Sequence, residues 1–175
     1  CLVEFSLNIA GGIKAFPFAR AAFREEIGEL TERLSRFSLL KTEVYEQSTG
    51  DFAFFLLKSP AVPVKNFLVS IEESHPLGRL FNLDVCGPDG RSIKRHDLGL
   101  LPRTCLVCGE DAHVCAAKRS HSMELIQWQT AKLFHEFFRD RAADQAASAA
   151  VRGLLYEVST TPKPGLVDRN NSGSH

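Results

Sequence analysis

The sequence predicts an α+β fold: a mixed or antiparallel sheet with β-hairpins, packed against two or three helices and followed by a helical C-terminal segment. Three observations predict it. Short β-rich runs recur over 3–9, 42–47, 52–57 and 80–86. Longer segments carry apolar residues at steps of three and four, the spacing of a helix face. Two clusters of turn residues, Ser48-Thr49-Gly50-Asp51 and Gly87-Pro88-Asp89-Gly90, stand between β-rich runs and read as hairpin turns.

In chain order, residues 3–9 alternate apolar and polar like a half-buried strand, which Gly11-Gly12 ends. From Ala19 the residues Ala22, Phe23, Ile27, Leu30 and Leu34 form a helical stripe, with Arg24, Glu25, Glu26, Glu29 and Arg33 on other faces. Runs 42–47 and 52–57 make the first hairpin, with Phe52, Phe54 and Phe55 expected in the core. Val64, Phe67, Leu68 and Ile71 mark a second helix that must stop before Pro76, because the residue preceding a proline resists helical dihedrals. Runs 80–86 and 91–95 make the second hairpin, and the cysteine-rich loop leaves it. Ile126, Leu133, Phe134, Phe137 and Phe138 then mark a long amphipathic helix. After Asp140 alanines dominate, so residues 1–140 read as one domain and 141–175 as a helical linker with the truncated start of another.

Twenty-one basic and 21 acidic side chains leave the chain neutral, which argues against a general nucleic-acid or membrane-surface binder. No run approaches the ~20 apolar residues of a membrane span. Five cysteines, three of them crowded into 105–115, suit reduced thiols or a metal site in the cytoplasm better than a disulfide framework. The chain opens on Cys1, so its natural start is expected to lie further upstream.

The chemistry concentrates in 75–121, which holds four of the six histidines, four of the five cysteines, and seven basic against five acidic residues. That local excess suits an anion site, because guanidinium forks match phosphate oxygens. A solvated hairpin with scattered charges is the competing explanation. In Gly78-Arg79-Leu80-Phe81-Asn82-Leu83-Asp84-Val85 a glycine turn that lets backbone approach a phosphate feeds a strand. Asn82 and Asp84, two residues apart, project from one strand face and can share a cation such as magnesium, which takes hard oxygen ligands together with substrate phosphates. Cys105-x2-Cys108-x6-Cys115-x5-His121 supplies three thiolates and an imidazole to a candidate zinc site. A helix through the second half would turn Cys115 and His121 apart, by about 240° past one full turn. Buried structural cysteines are the alternative.

Val3-Glu4-Phe5-Ser6-Leu7-Asn8-Ile9 with Lys14 beyond, His75-Pro76-Leu77-Gly78-Arg79-Leu80-Phe81-Asn82-Leu83-Asp84-Val85, and Arg103-Thr104-Cys105-Leu106-Val107-Cys108 followed by Val114-Cys115-Ala116 and His121 resemble the holo-acyl-carrier-protein synthases of citrate lyase. These are the apo-citrate lyase phosphoribosyl-dephospho-CoA transferases. The similarity covers about 1–138, and the ordered combination of blocks is more specific than any one of them. Family members move a 2'-(5''-phosphoribosyl)-3'-dephospho-CoA group from its triphosphate donor, triphosphoribosyl-dephospho-CoA, onto a serine of the lyase's acyl carrier subunit, and pyrophosphate leaves. Residues 154–168, LLYEVSTTPKPGLVD, look like the opening of triphosphoribosyl-dephospho-CoA synthase, as in fusions of the two activities. One departure stands out: the family pattern has aspartate where this chain has Asn82, which keeps an oxygen ligand and removes a charge.

The resemblance implies a nucleotidyltransferase whose catalytic residues are Asp84, Asn82, Asp97 and His75. Asp84, Asn82 and Asp97 would serve magnesium, and His75 the attacking serine. Gly78, Arg79, Arg95, Arg103 and Lys14 would bind the donor. The partner implied is the acyl carrier subunit of citrate lyase; such carriers are acidic, so a basic face near the hairpin would steer it in a salt-sensitive way. Two alternatives stand beside this reading: a non-catalytic zinc-supported protein-binding module, and a carrier transferase for another lyase or decarboxylase.

Overall fold

The computed structural model describes residues 1–12 and 14–139. Four strands form one sheet in the order β2-β3-β1-β4, antiparallel at every pairing: β1 (Leu2–Leu7), β2 (Leu39–Tyr45), β3 (Phe52–Leu57) and β4 (Phe81–Cys86). Helices α1 (Pro17–Leu34) and α2 (Ala61–Ser74) follow β1 and β3; α3 (Ala112–Lys118) and α4 (Met123–Arg139) close the described chain. The α+β expectation holds, and the sheet is antiparallel rather than mixed. The alanine-rich segment and the start of a second domain, expected over 141–175, lie outside the described residues.

Strand alternation divides the sheet into two faces. Val3, Phe5, Ala53, Phe55, Phe81, Leu83 and Val85 point inward and are almost completely buried against Phe23, Leu30 and Leu34 of α1 and Val64, Leu68 and Ile71 of α2. Helix α4 joins this core through Phe134, edge-on to Phe16, and Phe137, against the ring of His75. The opposite face is open. Phe52 and Phe54, expected in the core, lie on it half-buried and stack with Tyr45 at the far end, because β3 alternates and only Phe55 of the three faces inward.

The second expected hairpin is only partly formed. Past the turn, the chain returns far enough for one bridge, Ser92 to Cys86, and for the Ile93 N–H to reach the Val85 carbonyl at 2.8 Å. It then coils into a short 3₁₀ turn, Arg95–Leu98, because the Asp97 carboxylate accepts the Lys94 N–H at 2.9 Å and caps it. Among the described residues β4 therefore has β1 on one side and no strand on the other. Its outer carbonyls are satisfied individually: Arg103 Nη1 donates to Phe81 O at 2.7 Å, Lys65 Nζ to Leu83 O at 2.5 Å, and Ile93 to Val85. An edge closed by side chains cannot recruit a foreign strand. It also holds β4 in place.

Candidate functional site

On the open face of β4, Asn82 and Asp84 stand side by side, and Asn82 Nδ2 donates to Asp84 Oδ2 at 3.1 Å. The Asp84 side chain is 38% exposed and lies 3.7 Å from Lys94 Nζ. The β1–β4 register sets Glu4 opposite Asp84 and Ser6 opposite Asn82, so a second carboxylate shares this face. Sequence reasoning missed Glu4. Its signal was the alternation of β1, but nothing in the sequence says that β1 lies beside β4.

At the Asn8–Leu80 end of the same strand pair, where the Asn8 N–H donates to the Leu80 carbonyl at 2.7 Å, a cleft of ≈160 Å³ opens between Arg79, Arg103, Thr104, Leu106 and Ile126. Arg79 donates to the Thr104 carbonyl at its rim. Burial, with neighbouring Arg103, pushes the Arg79 pKa down, which marks a cation held where an anion would be welcome. Arg103 donates to Gly78 O at 2.9 Å as well as to Phe81 O, so its fork is occupied with backbone. Arg95 lies outside the cleft lining and spans Glu72, Glu73 and the Leu101 carbonyl.

Behind β4 sits a buried charge network that the sequence did not disclose. Lys65 and Glu72, seven residues apart on one face of α2, are 6% and 5% exposed. Arg95 reaches Glu72 at 3.3 Å and Arg103 at 3.9 Å. Burial pushes the Glu72 carboxyl up, opposed by Arg103, Lys65 and Arg95. Burial likewise pushes the Lys65 ammonium down, opposed by Glu72 and Asp84.

Other expected site residues are placed elsewhere. His75 is not on the open face: its ring stacks on Phe81, Nδ1 accepts the Leu77 N–H at 3.1 Å, and Nε2 lies 3.1 Å from Oε1 of buried Glu26. The side chain is 6% exposed, so neither ring nitrogen meets an incoming hydroxyl. Gly78 faces protein rather than ligand, since a Cβ there would stand 2.2 Å from the Glu72 carbonyl oxygen. Asp97 caps the 3₁₀ turn and pairs with Arg91 at 2.8 Å, touching Asp84 only through Lys94, and Lys94 holds its carboxyl below the ordinary aspartate range by hydrogen bonding from its N–H. Lys14 lines a separate hollow with Leu7, Phe23, Gly50 and Asp51.

The cysteine cluster departs from expectation in the opposite sense. Cys115 and His121 do not face apart. Helix α3 ends at Lys118 because Arg119 takes a left-handed conformation, φ 49°, and the Ser120 N–H closes back on the Cys115 carbonyl at 3.0 Å. The chain reverses, and one ligand atom from each of Cys105, Cys108, Cys115 and His121 lies within 4.8 Å of all the others. A donor set of three sulfurs and one nitrogen suits zinc.

A family model for apo-citrate lyase phosphoribosyl-dephospho-CoA transferase matches residues 1–137. The chain belongs to that family. A model for ATP:dephospho-CoA triphosphoribosyl transferase matches residues 143–175. Among relatives, the chain is 36% identical to protein CitXG of Leuconostoc mesenteroides subsp. cremoris over 99% of its own length and 39% of that protein's. The Haemophilus influenzae protein CitXG is 34% identical over 99% and 37% of the two chains. The chain thus spans about two fifths of the length of these relatives. A probable apo-citrate lyase phosphoribosyl-dephospho-CoA transferase of Vibrio cholerae is 33% identical over 78% of each chain. The transferase family match covers both the Asn82–Asp84 strand and the Cys3His loop. No helix among the described residues is long and apolar enough to cross a membrane.

Proposed function

We propose that this member of the transferase family attaches the 2'-(5''-phosphoribosyl)-3'-dephospho-CoA group to a serine of the citrate lyase acyl carrier subunit at the open face of β1 and β4. The observation that carries the reading is the half-buried Asn82–Asp84 pair on the open face with Glu4 in register, beside a cleft rimmed by Arg79. The donor set is hard oxygen: one carboxylate, one amide and a second carboxylate opposite. It fits magnesium bound through one or two carboxylates plus substrate phosphates, and it does not form an all-protein cage. Asp84 and Asn82 would hold that ion, which supplies neutralisation of the charge that grows on the leaving pyrophosphate.

The remaining work falls to the chain. Arg79 takes a donor phosphate at the cleft rim. The serine oxygen attacks the α-phosphorus, the bond from that phosphorus to the bridging oxygen breaks, and pyrophosphate departs with its electron pair. The hydroxyl proton passes to the Glu4 carboxylate, the exposed acid opposite Asp84, because His75 is shut behind the sheet. Arg91 and Lys94, whose side chains are 68% and 55% exposed, give an acidic carrier its landing charge.

The test is mass spectrometry of apo-carrier subunit incubated with donor, magnesium and this protein. A gain equal to the prosthetic group is expected, slowing as salt rises. No gain from folded protein refutes the reading. Preferential modification of a carrier from another lyase or decarboxylase would reassign the partner.

A further inference from the structure

We propose that Cys105, Cys108, Cys115 and His121 bind one zinc ion in a closed Cys3His site that fixes the 103–121 segment as a wall of the Arg79 cleft. Four ligands in a tetrahedron at zinc–ligand distances of ~2.0–2.3 Å stand about 3.3–3.8 Å from one another. Cys108 Sγ and Cys115 Sγ are 3.5 Å apart, the edge of such a tetrahedron and well beyond a disulfide bond of about 2.05 Å. All five cysteines are free thiols. The backbone is arranged around the sulfurs: the Val107 N–H points at Cys105 Sγ at 3.4 Å, and the Asp111 side chain caps α3, which delivers Cys115. His121 Nε2 is closed off from solvent and has no hydrogen-bond partner among the described residues. A buried ring nitrogen without a partner, beside three thiols, is explained by a cation.

The site has a structural need to answer. Around it the chain is ordered by its own turn bonds, Gly109 N–H to the Cys105 carbonyl at 3.2 Å and Ala112 N–H to the Arg103 carbonyl at 2.8 Å, more than by packing on the core. Leu101 is 83% exposed, Leu106 is the residue of the 104–111 loop that packs on the core, and the loop's strand pairing is a single bridge between Thr104 and Asp111. Yet the cleft depends on this segment. The Thr104 carbonyl holds Arg79, Leu106 and Ala112 line the wall, and Arg103 leads directly into it. Four protein ligands leave zinc no open position for substrate, so the ion orders the loop and does not take part in chemistry. The site stands whether or not the transfer reading does.

The experiment uses the whole chain, purified under reducing conditions without chelator. Elemental analysis should find about one zinc per chain, and cobalt substitution should give the intense visible bands of a tetrahedral thiolate complex. Lys118 and Arg119 put trypsin sites inside the loop. The zinc-loaded protein should resist cutting there, a strong chelator should expose them, and added zinc should restore protection. Cys108→Ser should lose stoichiometric zinc, while His121→Cys, which keeps four ligands, should retain it. Should the folded wild-type chain carry no zinc above background and bind none from added zinc chloride, or should Cys108 and Cys115 prove to be disulfide-linked, the proposal is overturned. The wild-type measurements decide it even where a variant fails to fold.

Discussion

Replacing Gly78 by alanine separates two roles for one residue. If the glycine is there to let a phosphate approach the backbone, Gly78→Ala weakens donor binding and leaves the fold alone. The structure argues otherwise. A Cβ at Gly78 would lie 2.2 Å from the Glu72 carbonyl oxygen and 2.8 Å from its carbon, both backbone atoms at the end of α2. Restoring an ordinary 3.4 Å contact requires a shift of about 1.2 Å. Overpacking of this kind costs about 1–3 kcal/mol. The shift also drags the Gly78 carbonyl from Arg103, a charge-assisted bond of 2.9 Å worth about 1.5–3 kcal/mol. The expected loss is therefore about 2.5–6 kcal/mol, a large part of the roughly 5–15 kcal/mol that holds a domain folded. Urea unfolding reads it directly, and Tm should fall by on the order of 10 °C. A variant with wild-type midpoint and weakened donor binding would refute the packing argument and restore the phosphate role.

Three further outcomes follow from the site. Asn82→Asp adds a second carboxylate beside Asp84 and should lower the magnesium concentration needed for half-maximal transfer by roughly tenfold; an unchanged magnesium dependence would count against the shared cation site. Glu4→Gln keeps shape and removes the proton acceptor, so kcat should fall by about 10²–10⁴ with KM little changed, and a full-rate variant would move the base elsewhere. Burial raises the Glu72 pKa in the folded state, so this group favours the fold most below its ordinary pKa of about 4.3, and that contribution is lost as pH rises through the higher folded value. The stability advantage of wild type over Glu72→Gln should accordingly shrink between pH 4.5 and pH 7 in urea titrations; an advantage that grows with pH would show that Arg95 and Arg103 outweigh desolvation.

What the sequence disclosed about the site is what depends on neighbours along the chain. Asn82 and Asp84 share a face because strand alternation has period two, and that needs no knowledge of the fold. Glu4 needed the β1–β4 register, which is a matter of strand order. The resemblance implied that His75 serves the attacking serine, yet its ring is buried by Phe81 and by α4, 62 residues onward at Phe137. Arg95 was expected to bind the donor, and its partners Glu72 and Glu73 lie 22–23 residues away on α2, a pairing that periodicity along the chain does not reveal. For the proposed zinc ligands the error ran the other way. A helix carried past Arg119 separates Cys115 from His121, and a left-handed arginine, rare without the freedom of glycine or the side chain of asparagine, is invisible to residue statistics.

The Lys65–Glu72–Arg95–Arg103 network raises the question of why a small domain should bury Lys65 and Glu72 and half-bury two arginines beside them. Stability is a poor answer, since well-packed apolar residues of the same volume serve a core as well or better. Geometry is a stronger one. Among the described residues β4 has a strand on one side only, and its outer carbonyls at Phe81 and Leu83 need donors that a methionine or leucine cannot supply. Lys65 and Arg103 donate, and Glu72 keeps those cations from being buried alone. The same guanidinium holds Gly78, and through that turn it sets where β4 begins. The inward face of β4 is pinned by Phe81, Leu83 and Val85, its inner edge by β1, and its outer edge by the charges. Only the face bearing Asn82 and Asp84 is left open, so the side chains offered to a substrate stand on a strand restrained on its other three sides. Desolvating Lys65 and Glu72 is then the cost of holding Asn82 and Asp84 in register with Glu4.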